Sequence, residues 1–150
     1  MDNVRAQMVF ADPPYNVAID GHVSGLGKNQ HREFLQASGE MTRREFVAFL
    51  TGAFQNLADF SLEGSLHYLC MDWRHAIEIQ EAGEAVYSEL KNICVWAKTN
   101  AGMGSLYRSQ HEFVYVFKAG TSAHINNIQL ARFGRARSNV WTYAGATSFG

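Results

Sequence analysis

The chain has two prolines, and both lie in one turn, Asp12-Pro13-Pro14-Tyr15, placed directly after the apolar run Met8-Val9-Phe10-Ala11. Each proline lacks an N–H and fixes its own φ, so this turn cannot close by ordinary backbone pairing. The residue before a proline is driven to extended geometry, which keeps Asp12 in line with the preceding run and prevents a helix from starting there. A short apolar strand ending on a carboxylate is therefore expected. In open α/β sheets ligands gather at the carboxyl ends of strands. The Asp12 carboxylate and the Pro13 carbonyl are left there as acceptors, and buried acceptors require partners. A planar exocyclic amine, with two N–H donors, would satisfy both.

The rest of the chain reads as one α/β unit. At 150 residues and 47% hydrophobic content it is long enough for a single domain with a core, and no proline-rich linker, internal repeat or long apolar span divides it. The order expected is strand, long loop, helix, strand, helix, strand, loop, strand, tail. Residues 16–40 are polar and glycine-rich, and loops of that length are usually functional or disordered. Gly25-Leu26-Gly27-Lys28 lacks the glycine and the Ser/Thr of a phosphate loop, since His22 and Asn29 stand there. Thr42-Arg43-Arg44-Glu45 is a capping box, and Phe46, Phe49, Leu50, Ala53, Phe54 and Leu57 follow at helical spacing, a core-facing stripe. Leu66–Met71 reads as a central parallel strand. A second helix is expected over Trp73–Leu90, broken at Gly83. Ile93–Ala97 and Phe113–Phe117 read as further strands, the latter antiparallel at the sheet edge.

Charge is divided unevenly. Residues 1–90 carry 6 Lys/Arg and 13 Asp/Glu, whereas residues 91–150 carry 7 Lys/Arg and Glu112 alone, so the two parts differ as −7 against +6. Such asymmetry points to a face that meets a polyanion. Arg132, Arg135 and Arg137 cluster without a nearby acid. Cys70 and Cys94 lie in apolar runs and read as reduced core thiols. The six histidines show no metal-ligand spacing, and no metal is expected. No membrane span or signal peptide is read, and a cytoplasmic location is expected.

Asp12-Pro13-Pro14-Tyr15 after an apolar strand resembles the catalytic motif of the DNA amino-methyltransferases, the N6-adenine and N4-cytosine methylases. Tyr68-Leu69-Cys70-Met71-Asp72-Trp73-Arg74-His75 is similar to their next strand and loop. Val95–Asn100, Tyr107–Phe113 and Asn139-Val140-Trp141 resemble their later strand, glycine-rich loop and hairpin, so that the resemblance runs over nearly the whole chain. The nearest pattern is that of members in which the catalytic part precedes the cofactor part.

The resemblance implies a Rossmann-like methyltransferase sheet, mixed, with a C-terminal antiparallel edge strand. It implies that residues 1–150 are the catalytic and target-recognition half of one methyltransferase domain. The glycine-rich turn that seats S-adenosylmethionine has no counterpart in the sequence, because Gly102-Met103-Gly104 lacks the third glycine. It further implies double-stranded DNA as partner and methylation of a flipped base, adenine N6 in preference to cytosine N4. Asp12, Pro13, Pro14 and Tyr15 are then the catalytic group, with Tyr15 either stacking on the base or packing on the sheet. Asp72 either caps the following helix or, with Trp73, lines the substrate pocket. Lys98, Arg108 and His111, together with Arg132, Arg135 and Arg137, are expected at the nucleic acid. An RNA or protein-amide methylase, and an idle nucleic-acid-binding domain, are the alternatives. The fragment alone is expected to be inactive and to self-associate through an exposed strand at Met8–Ala11.

Overall fold

The computed structural model describes residues 4–18, 36–102, 106–124, 126 and 137–144. Among them lies a five-stranded mixed sheet with two helices. The elements in chain order are β1 (Ala6–Ala11), α1 (Arg43–Asp59), β2 (Ser61–Met71), a 3₁₀ turn (Trp73–His75), α2 (Ala76–Val86), β3 (Glu89–Lys98), β4 (His111–Lys118) and β5 (Val140–Tyr143). Spatial order is β1-β2-β4-β3-β5. β1 and β2 are parallel, as are β3 and β5, and β4 runs antiparallel to both of its neighbours. The mixed α/β sheet is as expected. Its antiparallel strand, however, is interior, and the edges are β1 and β5.

The reason lies in the residues of β4. Phe113-Val114-Tyr115-Val116-Phe117 has no polar position, and Val114, Tyr115, Val116 and Phe117 are all buried. An edge strand with one wet face would alternate; a strand covered on both faces need not. Its odd and even positions feed two separate cores. Tyr115 and Phe117 join Leu69, Met71, Ile79, Ala82 and the α1 residues Phe46, Leu50 and Phe54 on the helical face. Val114 and Val116 join Cys70 and Cys94 on the other, with Tyr15, Leu66, Tyr68 and Trp141 packed around them. Both cysteines are buried and unpaired, and burial raises the Cys70 thiol to about 12.

The capping box at Thr42 and Glu45 forms as read, and α1 buries its aromatic stripe. The second helix departs from expectation. Asp72 caps a 3₁₀ turn, α2 then runs unbroken through Gly83 and stops at Val86, and Glu89-Leu90 already belong to β3. Gly83 does not break the helix, because its missing side chain is what admits Phe117: a Cβ there would collide with the ring. Tyr87 ends the helix in extended conformation and stacks on Phe117 at 5.0 Å. Its hydroxyl meets His67 Nδ1 at 2.9 Å, while His67 Nε2 meets Ser65 at 3.1 Å. β2 is also longer than expected, starting at Ser61, with Gly64 at φ +78 in the stretch where its pairing with β1 shifts.

Two outcomes are expected. Gly83→Ala should cost about 1–3 kcal/mol through overpacking against Phe117, read from the denaturant midpoint. His67 is 0% exposed and held neutral, its pKa lowered by burial to about 4 from an ordinary 6.5. The unfolded chain therefore binds the extra proton first as pH falls. His67 contributes full stability above pH ~6.5 and progressively loses roughly 2–3 kcal/mol between there and pH ~4. His67→Gln should flatten that part of the stability–pH curve.

Candidate active site

Because β4 alone is reversed, the carboxyl ends of β1, β2, β3 and β5 and the amino end of β4 all lie at one side of the sheet. The registers Ala11↔Leu69, Met71↔Phe113, Ala97↔His111 and Lys98↔Tyr143 fix this. Asp12, Asp72, Lys98 and His111, remote in sequence, therefore stand along one rim.

Asp12 is exposed at the tip of β1. One carboxylate oxygen accepts the Tyr15 hydroxyl at 2.6 Å, and the other carries no protein bond among those described. Tyr15 is half-buried, packing against both cores. Burial first, then the hydrogen bond to Asp12 and the nearby charges of Asp12 and Glu112, drive its phenol far above the usual tyrosine range. Tyr15 thus packs on the sheet and orients the carboxylate; its ring is not a free platform. The backbone leaves the turn through Asn16 in the left-handed region, φ 51. Here Asn16 Nδ2 donates to the Met41 carbonyl at 2.9 Å, and its Oδ1 accepts from Gly39 and Met41 N–H, both at 3.1 Å.

Asp12 opens onto a groove of about 850 Å³ lined by Phe10, Cys70, Trp96, Val114, Trp141 and Tyr143, among others. Phe10, Cys70, Trp96, Val114, Trp141 and Tyr143 are on the face of the sheet away from the helices, by the alternation of their strands. Arg137 and Ser138 stand at its border. The groove is aromatic, and Asp12 and Arg137 are the charged residues of its lining.

The remaining expected residues divide. Asp72 caps, accepting from Arg74 N–H at 2.8 Å and from the Arg74 guanidinium at 2.9 Å. Trp73 is half exposed, with its indole N–H on Ser109 at 3.0 Å and Arg74 over its ring at 4.9 Å. Neither lines the Asp12 groove. Lys98 pairs with Glu112 at 2.5 Å and lies over the Trp96 ring at 5.1 Å. Arg108 braces the loop, donating to the carbonyls of Gly102 and Ala101 at 2.8 and 3.2 Å. His111 packs on Phe113 at 4.7 Å. Arg137 alone of the basic tail is described; Arg132 and Arg135, like the glycine-rich stretch 25–28 and Met103-Gly104, lie outside the described residues. Among the described residues no group of three His, Cys, Asp or Glu side chains could hold a metal ion, and no helix is long and apolar enough to cross a membrane.

Sequence reasoning gave no role to Phe10, Trp96, Trp141, Glu112 or Asn16. The first three stand at alternating strand positions, a signal that identifies a shared face only once the strand order is known. Glu112, the one acid of its region, was visible but had no partner assigned. Asn16 had no signal beyond following the turn.

No protein-family description and no curated protein matches the sequence. Solved structures do match. M1.HpyAVI in complex with SAM superposes with a TM-score of 0.53 at 13% identity, covering 94% of this chain and 57% of that one. M1.HpyAVI alone gives 0.54 at 12% identity, with coverages of 93% and 56%. A Thermus thermophilus protein assigned as a DNA modification methylase gives 0.58 at 13%, with coverages of 98% and 62%. The chain shares their fold. It spans about three fifths of the length of those structures.

The Lys98–Glu112 pair yields a test of the expected phosphate contact. Both side chains are about three quarters covered, at 26% and 22% exposure. Lys98→Met should lower stability by about 1 kcal/mol in urea, leaving the salt dependence of nucleic-acid binding unchanged. A salt slope reduced by about one would instead mean that Lys98 meets a phosphate.

Proposed function

We propose that the chain is the catalytic and target-recognition part of an S-adenosylmethionine-dependent DNA methyltransferase acting on an exocyclic amine of a flipped base, adenine N6 in preference to cytosine N4. The observation that carries the reading is the Asp12 carboxylate, oriented by Tyr15 and opening onto an aromatic groove at the strand ends. Support comes also from the fold shared with a structure described as a DNA modification methylase, and with one that has SAM bound.

The groove fits the reactive end of the methyl donor, because aromatic faces and a carboxylate favour a sulfonium cation. Phe10, Trp96 and Trp141, beside Asp12, are the residues that would face it. No glycine-rich strand–turn–helix that would hold its nucleoside occurs among the described residues. What the cofactor supplies when bound is an electrophilic methyl group.

The chain's own residues act on the amine. Its lone pair is delocalised into the base ring and is a poor nucleophile. Asp12, with the Pro13 carbonyl beside it, accepts the two N–H groups and favours a pyramidal nitrogen whose lone pair is directed out of the ring plane. On taking the methyl group that a bound cofactor would supply, the amine nitrogen would gain positive charge. The fixed Asp12 charge stabilises it. The surplus N–H proton then leaves to Asp12 or to water. Reaching the amine requires extruding the base, at a cost of a few kcal/mol. The aromatic side chains of the groove offset this by stacking worth roughly 1–3 kcal/mol.

Trp73 and Arg137 are exposed and are assigned here to the flanking DNA, and Arg132 and Arg135 extend the same basic stretch in sequence. Met8 and Phe10 are 60% and 59% exposed on edge strand β1, the geometry on which association of isolated chains through Met8–Ala11 would rest.

The test is methyl transfer from labelled S-adenosylmethionine to duplex DNA by the full-length protein, followed by nucleoside mass spectrometry. N6-methyladenine is expected; N4-methylcytosine would move the target, and an unmethylated product would end the reading. Asp12→Ala should lower the rate on the order of 10²–10³-fold while DNA affinity holds within about threefold. A rate within tenfold of wild type would remove Asp12 from the chemistry.

A further inference from the structure

Among the described residues, the one that follows the turn makes more hydrogen bonds than any member of it. Asn16 donates its backbone N–H to the Ala37 carbonyl at 2.8 Å and its Nδ2 to the Met41 carbonyl at 2.9 Å, and its Oδ1 accepts from Gly39 N–H and Met41 N–H, both at 3.1 Å. Two backbone donors on one atom and a carbonyl on the other admit one orientation of the amide. The residues that Asn16 grips are themselves tied down. Glu40 accepts from Ala37 and Ser38 N–H, both at 2.6 Å, and its own backbone N–H first, then these two bonds, hold its carboxylate below the ordinary range. Met41 precedes the α1 cap Thr42.

Among the described residues Asn16 and Ala37 are the non-glycine residues with positive φ, 51 and 56, and they are bonded to one another. Non-glycine residues rarely hold that conformation unless the surroundings over-determine it, and such strain gathers at functional sites. The two segments also touch closely: a Cβ on Gly39 would lie 2.6 Å from the Ala18 nitrogen.

We propose that Asn16 is a positioning residue that, by clamping the end of the Asp12–Tyr15 turn to residues 37–41, holds the Tyr15 hydroxyl on the Asp12 carboxylate and so sets the direction of the free carboxylate oxygen. A turn containing two prolines has few backbone donors with which to fix itself. Its rigidity is imported through the next residue. The kinetic part of this inference rests on the amine-methylating reading of Asp12, and the structural part does not.

Three variants of the full-length protein separate the possibilities. Asn16→Gly keeps the left-handed backbone and removes every side-chain bond. Asn16→Asp keeps the acceptor for Gly39 and Met41 and loses the donor to the Met41 carbonyl. Gly39→Ala drives the two segments apart from the opposite side without substituting a residue of the turn. A misplacement of about 1 Å can cost 10²-fold in rate, so Asn16→Gly should lower kcat by about 10–100-fold with KM for DNA within about threefold. Asn16→Asp should fall between it and wild type, and Gly39→Ala should resemble Asn16→Gly. In parallel, the Tyr15 signal of ¹³Cζ-tyrosine-labelled protein, identified by its loss in Tyr15→Phe, should move toward that of a solvent-exposed tyrosine in both Asn16→Gly and Gly39→Ala.

A folded Asn16→Gly protein with kcat within twofold of wild type, or with an unmoved Tyr15 signal, would overturn the proposal. A role in stability alone would lower the unfolding midpoint while leaving kcat of the folded protein and the Tyr15 signal in place. If Asn16→Gly does not fold, Asn16→Asp and Gly39→Ala carry the same two readouts. Should the wild type transfer no methyl group while the Tyr15 signal still moves, the functional reading falls and the positioning role stands.

Discussion

Everything in this fold is built around β4. Its apolar side chains enter both cores, so removing it would separate the helical face from the cysteine-bearing face as well as parting β2 from β3. It is also the one reversed strand among the five described. That reversal lets β2 and β3 lie on either side of it with their carboxyl ends pointing the same way, which gathers the ends of four strands along one rim. The candidate site is a consequence of where a single strand is inserted. Local chemistry then completes it: the prolines stop β1, and the Tyr15 hydroxyl fixes the carboxylate left at its end.

The elements that depend on local sequence were legible without the structure. The Thr42–Glu45 capping box and the aromatic stripe after it are local signals, and both formed. The extended geometry before each proline likewise put Asp12 at the end of its strand. Strand order was not legible, because periodicity gives the face of a strand and says nothing of its neighbours. The unbroken apolar run of β4 did carry the information that both of its faces are covered, and placing it at an edge overlooked that. Gly83 was misread for a related reason. A glycine in a helix looks like a break until the ring that occupies its missing side chain is known, and Phe117 lies 34 positions away in sequence.

The surroundings of Asp12 were harder to read than Asp12 itself, which was marked by chemistry that neighbours in sequence could reveal. Lys98 and Arg108 were expected at the nucleic acid; one pairs with Glu112 across β3 and β4 and the other braces a loop through carbonyls, partners that only tertiary structure supplies. Asp72 resolved toward capping, as a carboxylate just before a helical turn commonly does. The groove aromatics were invisible as a group because β1, β3 and β5 bring them together from three distant stretches.

The clamp between Asn16 and residues 37–41 has a consequence for how such a chain can change. The stretch between them leaves and returns through hydrogen bonds that close locally, so its length and composition are decoupled from the turn it follows. Doubling a loop's length costs only about 0.6 kcal/mol of closure entropy. A chemical centre anchored at the neck of a loop can keep its geometry while the loop is lengthened, shortened or exchanged. The geometry of the Asp12–Tyr15 turn is thereby carried by residues 12–16 and 37–41, and the sequence between them can drift while that geometry stays fixed.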